Sequence, residues 1–390
     1  VSHRIDPDFL PELKRYGEFS IETCFNCGNC SAVCPLSSEE ENFPRRMIRY
    51  TQLGMRDKLL SSRELWMCYY CGECTATCPR QADPGEFMAA ARRYAIAKYD
   101  RLGLARLLYT SPIFNLLFLI VFALLFGLFL YAFHGPMQGD SLRLFAFIPE
   151  QLIHYLGVAA GIVVIFIALI GVVNMATQVS RQIKFPRGAR LNWLSALWET
   201  VGIEVLGQKR YRQDCETYAV EQPWYLQKWF MHASMLWGFM GLFLATALDY
   251  LLALLGVKPT GTWVAIWYPT RLLGTIAGIS LIFGASAAII KRLLRKDVSS
   301  LHSTPSDWSF LILMWLAGMT GFALELAIYL PHPYAWGYWM LLAHLVVVAE
   351  LLILLPFTKF AHALYRTVAL YMHALKSLQE LEISQADAAD

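Results

Sequence analysis

Cys24, Cys27, Cys30 and Cys34 are spaced x2, x2, x3 and followed by Pro35, and the run returns at Cys68, Cys71, Cys74, Cys78 and Pro79. Four thiols at this spacing, closed by proline, are the ligand run of a bacterial ferredoxin-type [4Fe–4S] cluster. A chain with two such runs must bring each group of sulfurs around a common centre. In two-cluster ferredoxins the fourth cysteine of a run ligates the other cluster. The expected groups are therefore Cys24, Cys27, Cys30 with Cys78, and Cys68, Cys71, Cys74 with Cys34. The stretch Val1–Tyr16 is polar and charged, unlike a secretory leader, so a reducing compartment and metal ligation are expected rather than disulfides. Zinc is the rival metal, but zinc sites commonly use paired Cys-x2-Cys elements. The ninth cysteine, Cys215, stands alone in a polar stretch and reads as a structural thiol.

Hydrophobic residues make up 56% of the chain and charged ones 16%, too apolar for an ordinary soluble protein. The apolar residues are concentrated after residue 110. Six runs, 112–133, 152–175, 229–255, 268–290, 308–330 and 336–357, are each long enough to cross a hydrocarbon core of about 30 Å. The expected division is a helical ferredoxin domain at 1–108, a transmembrane haem b domain at 109–376 and a disordered tail at 377–390. Between the cysteine runs, Glu39–Arg63 has helical character without alternating β-branched residues, so the expected fold class is all-α throughout. Basic residues such as Arg106, Arg181, Lys209, Arg292 and Lys359 flank one set of span ends, while the opposite loops hold few. By the positive-inside rule the cysteine head and both termini are expected on the cytoplasmic side of the inner membrane. A net charge of +3, clustered beside apolar runs, gives no reason to expect nucleic acid. Asn192–Leu206 has helical spacing, with Trp193, Leu194, Leu197, Trp198 and Val201 on its apolar side, and reads as an interfacial helix or a docking surface for the head.

Histidine is uncommon inside a span. His344 and His362 are eighteen residues apart, five helical turns, which places them on one face of a continuous helix about 27 Å apart. Two stacked histidines at that separation suit two b-type haems, each needing a second axial ligand from a neighbouring helix. His232, at the start of the third span, is the expected partner of His362. His154, in the second span, is the expected partner of His344. Intramembrane carboxylates are functional candidates by default. Glu350 is therefore a candidate for proton transfer at a quinone site, and Arg271 a candidate for polarising a quinone carbonyl.

The segment from His344 to His362 contains Leu-Leu-Pro-Phe-Thr-Lys and resembles the last span of the respiratory nitrate reductase gamma (cytochrome b) family. There, two haem-ligating histidines have this spacing around a Leu-Phe-Pro-Phe-Ser-Arg-like turn. Met231-His232 resembles the inner-haem ligand of that family, but Leu242 stands where a second histidine would follow ten residues later. The outer haem is thus ligated differently, as by His154, or missing, leaving one haem or two. The cysteine head, through Trp66-Met-Cys-Tyr-Tyr-Cys-Gly-Glu-Cys, resembles the C subunits of heterodisulfide reductases. Such a head fused to such a body resembles the C subunits of quinone-interacting membrane-bound oxidoreductase complexes. That resemblance implies heterodisulfide-reductase-A-like flavoprotein partners and electron exchange between menaquinol and adenylylsulfate reductase in dissimilatory sulfate reduction, with flow in either direction open to the same parts. Rival expectations are the equivalent subunit of a heterodisulfide reductase or sulfite-reduction complex, a transporter with a redox-sensing iron–sulfur head, and a zinc-binding regulator.

Overall fold

The computed structural model describes residues 5–38, 42–137, 142–181, 192–214, 223–258, 264–295, 300–330 and 335–387. Cys215 and part of the basic stretch after the second span (Lys184, Arg187, Arg190) lie outside them. All regular structure among the described residues is helical, as the sequence leads one to expect.

The head begins with α1 (Phe9–Lys14), α2 (Asn29–Ala32), α3 (Arg45–Gln52), α4 (Arg56–Leu60), α5 (Glu64–Met67) and α6 (Glu73–Ala76). These short pieces are organised by α7 (Pro84–Tyr99). Proline at its first position costs no intrahelical hydrogen bond, and its run of alanines favours helix. This helix is buried on nearly every side, with Phe87, Tyr94 and Tyr99 inaccessible to solvent. Tyr94 packs against Phe9 and Tyr16, and Tyr99 donates its hydroxyl to the Leu60 carbonyl at 2.5 Å. A short α8 (Leu104–Thr110) then leads into the body.

Among the described residues six helices are long and apolar enough to cross a membrane: α9 (Pro112–Ala132), α11 (Glu150–Ser180), α14 (Lys228–Leu254), α15 (Pro269–Leu294), α16 (Pro305–Tyr329) and α17 (Trp336–Leu354). The turn α10 (Leu144–Phe147) lies between the first two. In each of the first three spans only 11% of the most apolar window is buried within the protein. Exposed leucines and phenylalanines on that scale need a cover other than this chain, which a bilayer supplies. The spans meet through small residues. A Cβ added to Gly238 of α14 would lie 2.5 Å from the Leu281 nitrogen, and one on Gly284 of α15 would lie 2.7 Å from the Met231 carbonyl oxygen. Bare glycines therefore let these two backbones touch.

Two expectations are revised. His344 and His362 do not share a continuous helix, because α17 ends at Leu354 and α18 (Lys359–Asp387) starts only after a turn. Pro356 has no N–H to donate, and Leu355 and Phe357 instead bond three residues back, to Leu352 and Leu354. Beyond the break, α18 packs against α5 and α7 of the head and against α11. That helix also extends to Asp387, so most of the stretch read as a disordered tail is helical. The segment after residue 192 forms α12 (Trp193–Leu197), a π-helical stretch Trp198–Leu206 and then α13 (Lys209–Asp214). Ala196 packs on Ala374 and Leu375 of α18, while Trp193, Leu194 and Trp198 are exposed.

Because the atoms facing Gly238 are backbone, Gly238→Ala is expected to cost about 1–3 kcal/mol by overpacking. Gly157→Ala, with nothing within 4 Å of the new Cβ, is expected to keep or raise stability, since alanine is the better helix former. Thermal unfolding of the two variants in detergent, followed by circular dichroism at 222 nm, distinguishes them.

Candidate functional site

The two cysteine runs adopt one backbone design. After the first cysteine of each comes a left-handed residue, Asn26 (φ 60°) or Tyr70 (φ 57°), and then a left-handed glycine, Gly28 (φ 91°) or Gly72 (φ 97°). Glycine meets no steric penalty in this region, and it curls the chain so that the thiols point inward. A single helical turn, α2 or α6, then carries the third cysteine. Backbone N–H groups of Asn26 and Tyr70 donate to the sulfurs of Cys24 and Cys68, each at 3.4 Å, and Ala82 N–H donates to Cys78 at the same distance. The two loops are tied together by Asn29, whose side-chain amide donates to the Thr77 carbonyl at 2.5 Å.

Cys34 lines the same cavity as Cys68, Cys71 and Cys74, walled by Phe43 and Met88. Cys30 lies close enough to Cys24, Cys27 and Cys78 to feel their charges. The fourth cysteine of each run therefore sits with the first three of the other. Burial, reinforced by the neighbouring cysteines, pushes the Cys30 thiol up to about 11. Burial and the nearby Cys68, Cys71 and Cys30 push Cys34 up to about 12, although a hydrogen bond from the Leu36 backbone opposes this. Cys74 is held well above the ordinary thiol range for the same reasons of burial and crowding. Four such thiols can all be thiolates only around a multiply charged cationic centre, so the donor set fits an iron–sulfur cluster. Among the described residues no three His, Cys, Asp or Glu side chains are grouped as a single metal ion would require.

The histidines fall into two groups. His232 and His362 are near enough to interact electrostatically. His232 Nδ1 lies 2.9 Å from Gln208 Nε2. His362 packs its ring against Trp66, centroids 5.9 Å apart. Burial, and then the cations Arg92 and Arg366, hold the His362 imidazole well below its ordinary range, in the neutral form that binds metals. In the other group, His344 Nδ1 lies 2.8 Å from Thr320 Oγ1, and the bare Gly321 stands beside its ring. His154 instead packs on Tyr250 at 4.3 Å. For both His232 and His344, fixing Nδ1 leaves Nε2 to face a ligand, as metal-binding histidines are commonly arranged. The residues thus fit haem ligation best at His232, His362 and His344. Glu350 is buried on α17, and its Oε1 has no hydrogen-bond partner among the described residues. Arg271 lies in the first turn of α15, where its carbonyl accepts from Thr275, whose Oγ1 also lies 2.8 Å from Glu325 Oε1.

Sequence reading passes over the residues that join the head to the body. Asp307, at the start of α16, is buried and receives Arg93 of α7 at 3.3 Å and Lys359 of α18 at 2.8 Å. Arg93 also pairs with Glu86 at 2.8 Å, and Glu86 accepts from the Tyr70 hydroxyl at 2.6 Å. Arg366, one turn after His362, donates to the Trp66, Met67 and Cys68 carbonyls at 2.9, 3.0 and 3.2 Å. Its four-residue offset from His362 is the one signal in the sequence that both share a helix face.

Residues 20–82 match the 4Fe-4S dicluster domain family, and residues 116–381 match the family described as Citrate utilization protein B. The C subunit of the H2:CoB-CoM heterodisulfide, ferredoxin reductase of Methanothermobacter thermautotrophicus is 36% identical over 63 residues, covering 16% of this chain and 34% of the relative. The iron–sulfur C subunit of the CoB–CoM heterodisulfide reductase of Methanopyrus kandleri is 35% identical over 71 residues, 16% of this chain and 37% of the relative. Citrate utilization protein B of Escherichia coli is 27% identical over 272 residues, 68% of this chain and 65% of that protein. The chain therefore spans about a third of the heterodisulfide reductase relatives' length (34% and 37%). No solved structure matches it. An iron–sulfur head similar to the C subunits of heterodisulfide reductases, joined to membrane-compatible helices, suggests a membrane electron-transfer subunit.

Asp307→Ala would leave Lys359 without its counter-ion and Arg93 with Glu86 alone. Breaking a buried pair in this way is expected to cost about 3–5 kcal/mol. The check is the denaturant midpoint of the full chain in detergent, which should fall well below that of the parent.

Proposed function

The chain belongs to the citrate utilization protein B family, and on that premise we propose that it passes electrons from menaquinol to soluble flavin- and iron–sulfur-containing partner subunits. The observation that carries this reading is the meeting of a two-cluster cysteine head with the neutral imidazole of His362, on the helix that follows the last span. Haem b and two [4Fe–4S] clusters supply one-electron carriers when bound, which lets the chain divide the electron pair of a quinol.

Cys24, Cys27, Cys30 and Cys78 hold one cluster, and Cys68, Cys71, Cys74 and Cys34 hold the other. His232 and His362 ligate the inner haem, with Gln208 orienting the His232 ring. His344 would hold the outer haem, with Thr320 fixing its Nδ1, and His154, whose ring lies against Tyr250, would supply the second ligand. Glu350, buried with an oxygen unpartnered among the described residues, accepts a proton from the quinol; Arg271, in the first turn of α15 at the opposite end of the spans, does not share that site. The head faces the cytoplasm, as the basic residues beside Arg106, Arg181 and Lys359 favour. The partners are subunits of the heterodisulfide reductase A type, and the final acceptor is adenylylsulfate reductase.

A second reading keeps the same wiring in another complex. The match of residues 116–381 to a family named for citrate utilization favours a role in the use of citrate. Affinity purification of the chain from its membrane decides between them. A heterodisulfide-reductase-A-like flavoprotein in the eluate supports the first reading, and a citrate-binding protein in its place supports the second.

Pyridine haemochrome and iron determinations on the purified chain test the cofactors. The expected result is about eight non-haem irons and a haem b spectrum reducible by a menaquinol analogue. A chain with the iron and no haem would overturn the quinol reading. His232→Ala and His362→Ala are each expected to remove the same single haem, whereas His154→Ala and His344→Ala affect only the other. Cys34→Ser is expected to abolish the EPR signal of the cluster held by Cys68, Cys71 and Cys74 and to spare the other.

A further inference from the structure

The two cysteine loops share a backbone but not surroundings. Cys27 is exposed, and Phe25 in the same loop is 61% exposed. The Cys68 loop is instead enclosed by the body. Trp66, two residues before Cys68, is fully buried and packs on His362 at 5.9 Å and on Tyr365 at 5.1 Å. On the other side of the loop, Tyr69 stacks on Tyr211 at 5.5 Å with planes 21° apart, and Tyr211 meets His232 edge-on at 5.6 Å. Each of the paired histidines thus has an unbroken aromatic contact to the segment that carries Cys68.

Arg366 fixes this arrangement. The one-turn helix α5 ends with carbonyls that have no intrahelical partner, and the Arg366 Nη1 takes those of Trp66, Met67 and Cys68. Its guanidinium carbon also lies 4.3 Å from the Tyr69 ring centroid. Arg92 adds a second cation on the Cys68 carbonyl at 3.0 Å. Residues about 300 positions apart are held in register by one side chain.

We infer that the Cys68 loop is the terminal through which the head exchanges electrons with the His232–His362 pair, that Trp66 and the Tyr69–Tyr211 stack are the contacts that carry the exchange, and that Arg366 is the positioning residue that holds them. The Cys24 loop is then the terminal facing the soluble partner. In the transfer, one electron leaves the carrier ligated by the histidines and one enters the carrier ligated by Cys68. No bond forms or breaks, and the aromatic rings end the step in the oxidation state they began. The source is a quinol, which releases two electrons and two protons, and the sink is the flavoprotein. The inference rests on the proposed function above.

The test uses the full chain in detergent, reduced by a menaquinol analogue and followed by stopped-flow absorbance and freeze-quench EPR. The wild-type chain must first show haem reduction followed by cluster reduction, and failure there overturns the proposed function itself. Given that behaviour, Trp66→Leu and Arg366→Met are expected to keep haem and iron content and the extent of reduction by dithionite. Transfer from haem to cluster should slow clearly relative to the wild-type chain in both variants. Arg366→Met should also lower the reduction potential of one cluster, seen by equilibrium EPR titration without turnover, and leave the other unchanged, because a cation beside a cluster favours its more negative reduced form. Trp66→Phe, which keeps a ring against His362, should recover most of the rate even if Trp66→Leu loses haem. Transfer at the wild-type rate in Trp66→Leu and Arg366→Met with cofactors retained, or equal shifts of both cluster potentials, would overturn the inference.

Discussion

Head and body meet on one buried carboxylate. Asp307 Oδ2 accepts from Arg93 and from both the backbone and hydroxyl of Thr304, while Oδ1 accepts from Lys359. An ionised group can stay buried only if its charge and lone pairs are met by partners. Here they are met from the head, from the first turn of α16 and from the first turn of α18 together. Arg93 carries the same network through Glu86 to Tyr70 inside the Cys68 loop. The consequence is mutual dependence: the start of a span, the break after α17 and the geometry of a cysteine loop are fixed by one set of charges. A lone surface ion pair contributes little of this kind.

The break at Pro356 changes what the last histidines can do. On one straight helix, His344 and His362 would lie in line along the span. After the break, His362 belongs to a separate helix packed against the head, with Trp66 on one side and His232 near it. His344 stays among the spans, facing Thr320 and Gly321. The two sites therefore differ in kind. One is built across the join of head and body from aromatic and cationic residues, and the other lies within apolar helices.

Much of this is legible in the sequence, and the reasons are physical. Cysteine spacing is a local signal because neighbouring residues in one loop must close on one centre, and hydropathy over about 20 residues is local for the same reason. Both survive without knowledge of the partner. Pro356 is also visible, and its missing N–H conflicts with the continuous helix that the eighteen-residue spacing of His344 and His362 suggests. Contacts whose halves are far apart in the chain are not legible: Arg93 with Asp307, Arg366 with three carbonyls of α5, and Gly238 with the backbone of α15. None has a periodicity of its own. Gln208 and Thr320 look like ordinary polar residues until the histidine nitrogen beside each is known.

The matched left-handed positions of the two cysteine loops, Asn26 with Tyr70 and Gly28 with Gly72, have a consequence for how such a head becomes two-ended. The main chain makes both loops equally good cages, so the backbone alone does not distinguish one end from the other. The difference lies in the side chains hung on matching frames: a solvent-facing Phe25 on one, and on the other a Tyr69 already stacked on a ring from the body. A repeated module needs only a few substitutions on its rim to become an adaptor, with a plug at one end and a socket at the other. The cage residues themselves can stay untouched while the plug is refitted.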